Sequence, residues 1–160
     1  MSRCWLTGAS SGIGAALAQC LLEQGHQVAL GGRNADRLAP LAEHFPGQVL
    51  LAIGDLDDPV QVSGIATRIE QAWGALDRVI LNAGTCEYLE PGHFDPALVE
   101  RVVRTNFLAV SYCLAAALPL LRAGQHPHLV VMGSSVSWLA LPRARAYGAC
   151  KAAVRYLVES

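Results

Sequence analysis

Two side chains four residues apart, Tyr147 and Lys151, carry the clearest chemistry in this sequence. On a helix they project from one face. A cation held beside a phenol favours the phenolate and lowers a tyrosine from its usual value of about 10. Such a phenol can give and take a proton near neutral pH. A third partner lies upstream, where the apolar run Leu129-Val-Val-Met-Gly-Ser-Ser135 ends in hydroxyls. The same spacing also occurs on plain solvated helix faces, so the elements that would position these residues decide what they do.

Length and composition narrow the choice. The 160 residues make one domain (residues 1–160) with a real core and are few for two. With 52% apolar and 16% charged residues the chain is not disordered, and the balance suits a heavily buried sheet. Twelve basic residues offset thirteen acidic ones, so no net field favours nucleic acid or an anionic membrane. Glycines interrupt the N-terminal stretch before any apolar signal region forms. No apolar run reaches about eighteen residues without a break or a charge, so no membrane span is expected. The five cysteines (Cys4, Cys20, Cys86, Cys113, Cys150) show no C-x-x-C pair. They read as reduced thiols of a cytoplasmic protein. His126-Pro-His128 has no cysteine or carboxylate cluster beside it and reads as loop, so no metal site is expected.

The chain then alternates strand and helix. A short strand, Arg3–Leu6, stops at Thr7-Gly-Ala-Ser-Ser-Gly-Ile-Gly14. A helix follows, with Ile13, Leu17, Cys20 and Leu21 on one face and Gly25 closing it. His26–Leu30 is the second strand. This strand–glycine turn–helix–strand unit lets backbone approach a pyrophosphate at a helix N-terminus. Its glycines are spaced G-x-x-x-G-x-G, which departs from the G-x-G-x-x-G fingerprint. Asn34 to about Phe45 reads as a helix with Asn34 at its N-cap. Val49–Ile53 is a strand ending at Gly54-Asp55-Leu56. Asp58-Pro59 opens a helix with Val62, Ile65, Ile69 and Trp73 on one side. Asp77–Leu81 is a strand running into Asn82-Ala-Gly84. Pro96 to Leu121 reads as one long helix containing Asn106, with Pro119 at its fraying end. Leu129–Met132 is the fifth strand. Such alternation predicts an α/β fold, a Rossmann-like doubly wound parallel sheet between two helical layers. Every motif noted falls at the carboxyl end of a strand, where ligands of such sheets bind.

The second strand ends without an acid. A site for NAD usually offers a carboxylate there to the ribose hydroxyls. This chain has Gly31, Gly32, Arg33 and Asn34, and its first carboxylate is Asp36. Arg33 can fork onto a 2′-phosphate, which favours NADP(H) over NAD(H). Otherwise Arg33 merely decorates the next helix.

Five motifs in order make the chain resemble a short-chain dehydrogenase/reductase over its whole length. They are Thr7-Gly8 with Gly12-Ile13-Gly14, then Asp55, then Asn82-Ala83-Gly84, then Asn106, and last a strand-end serine with Tyr147 and Lys151. The resemblance implies NAD(P)-dependent oxidation of an alcohol or reduction of a carbonyl, on a small-molecule substrate, in a homo-oligomer. It implies Tyr147 as acid/base, a serine holding the substrate oxygen, Lys151 on the nicotinamide ribose, and Asn106 supporting a proton-relay water. It places the cofactor along Gly8, Ser10, Ser11, Gly12, Ile13, Gly14 and Arg33. Asp55 and Leu56 would meet the adenine end, and Asn82, Ala83 and Gly84 the sheet beside the cofactor. Ser134 stands at the family's usual spacing from Tyr147; Ser135 and Ser137 are the alternatives, as turn hydroxyls bonding nearby backbone.

Two departures bear on function. Cys150 stands where the motif often has serine, a small-for-small change. The sequence also ends at Ser160, inside the Tyr147–Lys151 helix, where family members continue with two more strands. It therefore reads as part of a longer reductase, with Leu129–Met132 as an apolar edge. Three functions stay open: an NADP-dependent oxidoreductase, a non-catalytic nucleotide-binding protein, or an inactive fragment. Thr85–Phe94 and Trp138–Arg145 flank the expected pocket, and Tyr88, Trp138 and Leu141 make it partly apolar.

Overall fold

The apolar runs pair into one five-stranded parallel sheet in the computed structural model, which describes residues 1–160. Strand β1 (Arg3–Leu6) lies between β2 (Gln27–Gly32) and β4 (Arg78–Leu81). Strand β3 (Val49–Ile53) borders β2, and β5 (His128–Val131) borders β4, giving the order β3-β2-β1-β4-β5. The direction of winding reverses between β1 and β4, where such sheets open a crevice. Strands β1 and β3 have the expected bounds, while the ends of β2, β4 and β5 differ by one or two residues, the usual uncertainty of a boundary.

Side chains alternate across the sheet and are buried on both faces. Cys4, Leu6, Val28, Leu30 and Ile80 pack with Ala18, Leu21 and Leu22 of α1 (Gly12–Glu23). On the other face Trp5, Ala29, Val79 and Leu81 meet Val62, Ile65 and Ile69 of α3 (Pro59–Trp73). Val110, Cys113, Ala117 and Leu121 of α5 (Ala109–Arg122) complete that layer. Helices α4 (Pro96–Val103) and α6 (Arg145–Glu159) pack on each other around Val102, Ala146 and Cys150.

Local sequence explains most helix ends. Asp58 and Asp95 cap α3 and α4 by accepting from the Val60 and Ala97 amides, with Pro59 and Pro96 in the first turns. After α1, the Gly25 amide donates to the Leu22 carbonyl and that of His26 to Leu21. This is a Schellman end, with Gly25 at φ 79°.

Three expectations need correction. The buried stripe of α1 is Gly14, Ala18, Leu21 and Leu22, one residue round from the expected face, and Ile13 is 67% exposed. The helix must turn Gly14 toward the strand turn, because a Cβ there would stand 2.0 Å from the Gly8 carbonyl oxygen. Helix α2 is only Ala39–His44. Pro40 is tolerated only in a first turn, so the helix cannot reach back to Asn34, whose Oδ1 instead accepts from the Asp36 amide at 2.8 Å. The long helix is broken by a π turn at Arg104–Leu108, where the Ala109 amide reaches five residues back to Arg104. The whole of Pro96–Arg122 is nevertheless long and apolar enough to cross a membrane by length and composition. Here its apolar side lies against α3 and β4 as a core helix.

Candidate active site

The turn after β1 and the turn after β4 are sewn together. The Asn82 and Ala83 amides both donate to Thr7 Oγ1, at 2.9 and 3.0 Å. Asn82 Nδ2 donates to the Thr7 and Gly8 carbonyls. Between them α1 begins. A Cβ on Gly14 would stand 2.0 Å from the Gly8 carbonyl oxygen, so only glycine lets this helix start so close to the strand turn. The Ser11 side chain makes no cap bond, and the amides of Gly12, Ile13 and Gly14 find no acceptor in the protein. Three free N–H groups at the positive end of a twelve-residue helix suit a phosphate.

They open onto a groove of about 660 Å³ beyond the carboxyl ends of the strands. Gly8, Ser10, Ser11, Ile13, Gly14, Arg33, Asp55, Leu56, Asn82, Ala83 and Gly84 all line it. Arg33 is exposed there and makes neither a hydrogen bond nor an ion pair. Asp55 takes the Asp57 amide on Oδ1 at 3.1 Å, while its own amide donates to Gln61 Oε1.

The proton-transfer candidates stand at one end, outside the groove lining. Lys151 is 5% exposed, and its Nζ donates to the Met132 carbonyl at 2.6 Å. That same Nζ lies 5.8 Å from the centre of the Tyr147 ring. It is also 4.0 Å from where a Cβ on Gly84 would stand, at the groove floor. Asn106 is fully buried in the π turn. Its Nδ2 donates to the Thr85 and Val102 carbonyls and its Oδ1 accepts from the Thr85 amide. The Ser134 turn abuts α6 at Gly148, whose missing Cβ would stand 3.6 Å from the Val136 carbonyl. The local backbone bond belongs to Ser134, which accepts from the Val136 amide at 3.4 Å, and not to the alternatives. Ser135 is exposed, and the Ser137 hydroxyl is buried without a partner.

Burial pushes the Lys151 ammonium below the ordinary lysine value, with Cys150 partly opposing it. The unfolded chain therefore binds the extra proton between the folded and unfolded values. The cost of burying the charge is in force at neutral pH and is relieved as pH rises toward about 10.4. Lys151→Met is expected to melt no lower than wild type at pH 7, with the gap narrowing as pH approaches 10. Parallel thermal melts across that range check this; a lower-melting variant at pH 7 would contradict it.

Several lining residues escaped the sequence reading. Thr105 Oγ1 donates to Asp57 Oδ2 at 3.0 Å and so ties the π turn to the loop after β3. Arg101 and Arg104 also line the groove, beside Thr85 and Glu87 of the expected Thr85–Phe94 flank. Thr105 was within reach, since it directly adjoins the motif residue Asn106.

Residues 3–160 match the short-chain dehydrogenase family model, and the chain belongs to that family. An uncharacterized oxidoreductase of Mycobacterium tuberculosis is 33% identical over 97% of this chain and 64% of its own length. The NADP-dependent 3-hydroxy acid dehydrogenase YdfG of Shigella flexneri is 29% identical over 94% of this chain and 61% of its own. An alcohol dehydrogenase from the archaeon Thermococcus sibiricus, solved with 5-hydroxy-NADP, superposes with a TM-score of 0.92 at 29% identity. That match covers 99% of this chain and 69% of the other. The chain thus spans a little over three fifths of the length of these curated relatives.

Proposed function

We propose that this chain forms the cofactor-binding and proton-transfer part of an NADP(H)-dependent oxidoreductase acting on an alcohol or carbonyl. The observation that carries the reading is the buried Lys151 ammonium, set between the Tyr147 ring and the groove floor at Gly84. A buried lysine is costly to retain unless its charge is used. Bound in the groove, the nicotinamide would supply or take the hydride. Lys151 would hold its ribose and favour the Tyr147 phenolate, and Tyr147 would move the proton at its phenolic oxygen. Ser134 would hold the substrate oxygen, and Asn106 would support the relay water.

Gly8, Ser10, Ser11, Gly12, Ile13 and Gly14 would carry the pyrophosphate on the free amides of α1. Asp55 and Leu56 would meet the adenine, with Asn82, Ala83 and Gly84 forming the floor. Arg33 faces the groove unpaired at the end of β2, where no carboxylate competes for the ribose. The relative named NADP-dependent and the structure solved with an NADP derivative support the same choice. Arg33→Ala is therefore expected to weaken NADPH binding by about ten-fold or more while sparing NADH. Fluorescence titration of both nucleotides tests it, and equal affinities before and after the substitution would count against NADP(H).

A further inference from the structure

The segment after Gly84 is an extended strap whose residues alternate in burial. Thr85, Glu87 and Leu89 turn inward, while Cys86, Tyr88 and Glu90 are exposed. Each inward residue is tied. Thr85 is held on both sides by the Asn106 amide group, and Glu87 pairs with Arg101 at 2.9 Å. Leu89 is buried, and its amide donates to the Arg143 carbonyl at 2.9 Å. Arg143 closes the far end. Its Nη2 reaches Glu90 Oε1 at 2.6 Å, and its guanidinium lies 5.6 Å from the centre of the Tyr88 ring.

Arg143 is also the one residue other than glycine with a left-handed backbone, at φ 68°. Side-chain-bearing residues seldom stay there unless their surroundings hold them. It directly precedes Ala144, the cap residue of α6, and so stands four residues before Tyr147. The Tyr88 phenol is raised by Cys86 foremost; Tyr147 adds in the same direction and Arg143 opposes. Arg143 thus joins the Tyr88 ring to the start of the helix that carries Tyr147. Trp138 and Leu141, in the segment that leads to Arg143, are exposed at 69% and 45%, and the Arg155 guanidinium lies 4.7 Å from the centre of the Trp138 ring.

We propose that Arg143 is a positioning and specificity-determining residue. It latches the Thr85–Glu90 strap to the start of α6, fixing Tyr88 as a wall of the substrate mouth for carbonyls that carry an apolar or aromatic substituent. The proposal rests on the oxidoreductase reading above. An exposed ion pair is weak alone; the latch gains from closing a strap already fixed at Asn106 and from stacking on Tyr88.

The test uses the full-length protein with Arg143→Gly, which suits the left-handed backbone, alongside Arg143→Lys and Glu90→Gln. With an aryl ketone, Arg143→Gly and Glu90→Gln should each raise KM, Arg143→Gly by about five-fold. Values of kcat, the KM of a small polar ketone and the NADPH Kd should hold, and Arg143→Lys should recover part of the loss. An equal KM rise for both ketones, or a joint fall in kcat and NADPH affinity, would reduce Arg143 to a structural role and overturn the proposal. Amide exchange at Leu89 reads the latch without turnover: it should quicken by about five-fold in Arg143→Gly. An unchanged rate overturns the latch. Absence of carbonyl reduction by the wild type would instead sink the oxidoreductase reading, and the exchange rate would still decide the latch.

Discussion

Tyr147→Phe is expected to remove turnover while leaving NADPH binding nearly unchanged. The substitution deletes one oxygen and keeps the ring, which packs half-buried beside Val102 and Cys150. The fold therefore has no reason to move. What is lost is the group that, in the proposed reaction, would exchange a proton with the substrate oxygen, and positioned acid–base groups contribute about a hundred- to ten-thousand-fold. Lys151→Ala should behave differently and damage both binding and turnover, because its ammonium adjoins both the groove floor and the Tyr147 ring. Steady-state rates and nucleotide titrations on the two variants separate these outcomes. A Tyr147→Phe protein that keeps most of its activity would remove the acid–base role and favour a non-catalytic nucleotide-binding protein.

Gly14→Ala should be the most damaging small substitution in the chain's N-terminal half. The new methyl would lie 2.0 Å from the Gly8 carbonyl oxygen and 2.6 Å from Asn82 Nδ2. Both are fixed by the bonds that join the β1 and β4 turns, so neither can yield without opening the site. Overpacking of this kind costs about 3 kcal/mol, a large part of a marginal stability. For a chain of this size that is a fall of about 10 °C in melting temperature. Nucleotide affinity should fall with it, since the α1 amides would be displaced. Gly12→Ala offers the contrast: no atom stands within 4 Å of its Cβ position, and only its φ of 53° is strained. It should cost about 1 kcal/mol. Melting curves of the two variants decide it, and a Gly14→Ala protein as stable as wild type would contradict the packing.

Much of this was legible in the sequence because its signals are local. Strands of four to six residues alternating with helices gave the parallel sheet, and Asp58, Pro59 and Gly25 marked helix ends by their own chemistry. Tyr147 and Lys151 needed only the helical period to share a face. The errors came where tertiary contacts overrule local pattern. The stripe on α1 read as Ile13 and Leu17 because hydrophobicity points that way, yet the close approach to Gly8 demands Gly14. The π turn around Asn106 has no signal in residue types; it arises where that side chain reaches Thr85. The ties made by Thr105 and Arg143 are hidden for the same reason, since their partners Asp57 and Glu90 lie far away in sequence. Arg143 is harder still, because its left-handed backbone would have predicted a glycine.

The most direct measurement follows the hydride itself. The full-length protein would be given NADPH deuterated at its transferable position, together with a panel of aldehydes and ketones. Deuterium should appear on the carbinol carbon of an alcohol product in step with NADPH oxidation, and Tyr147→Phe should abolish both. NADPH that binds in the groove yet gives no labelled alcohol with any carbonyl of the panel would contradict the oxidoreductase reading.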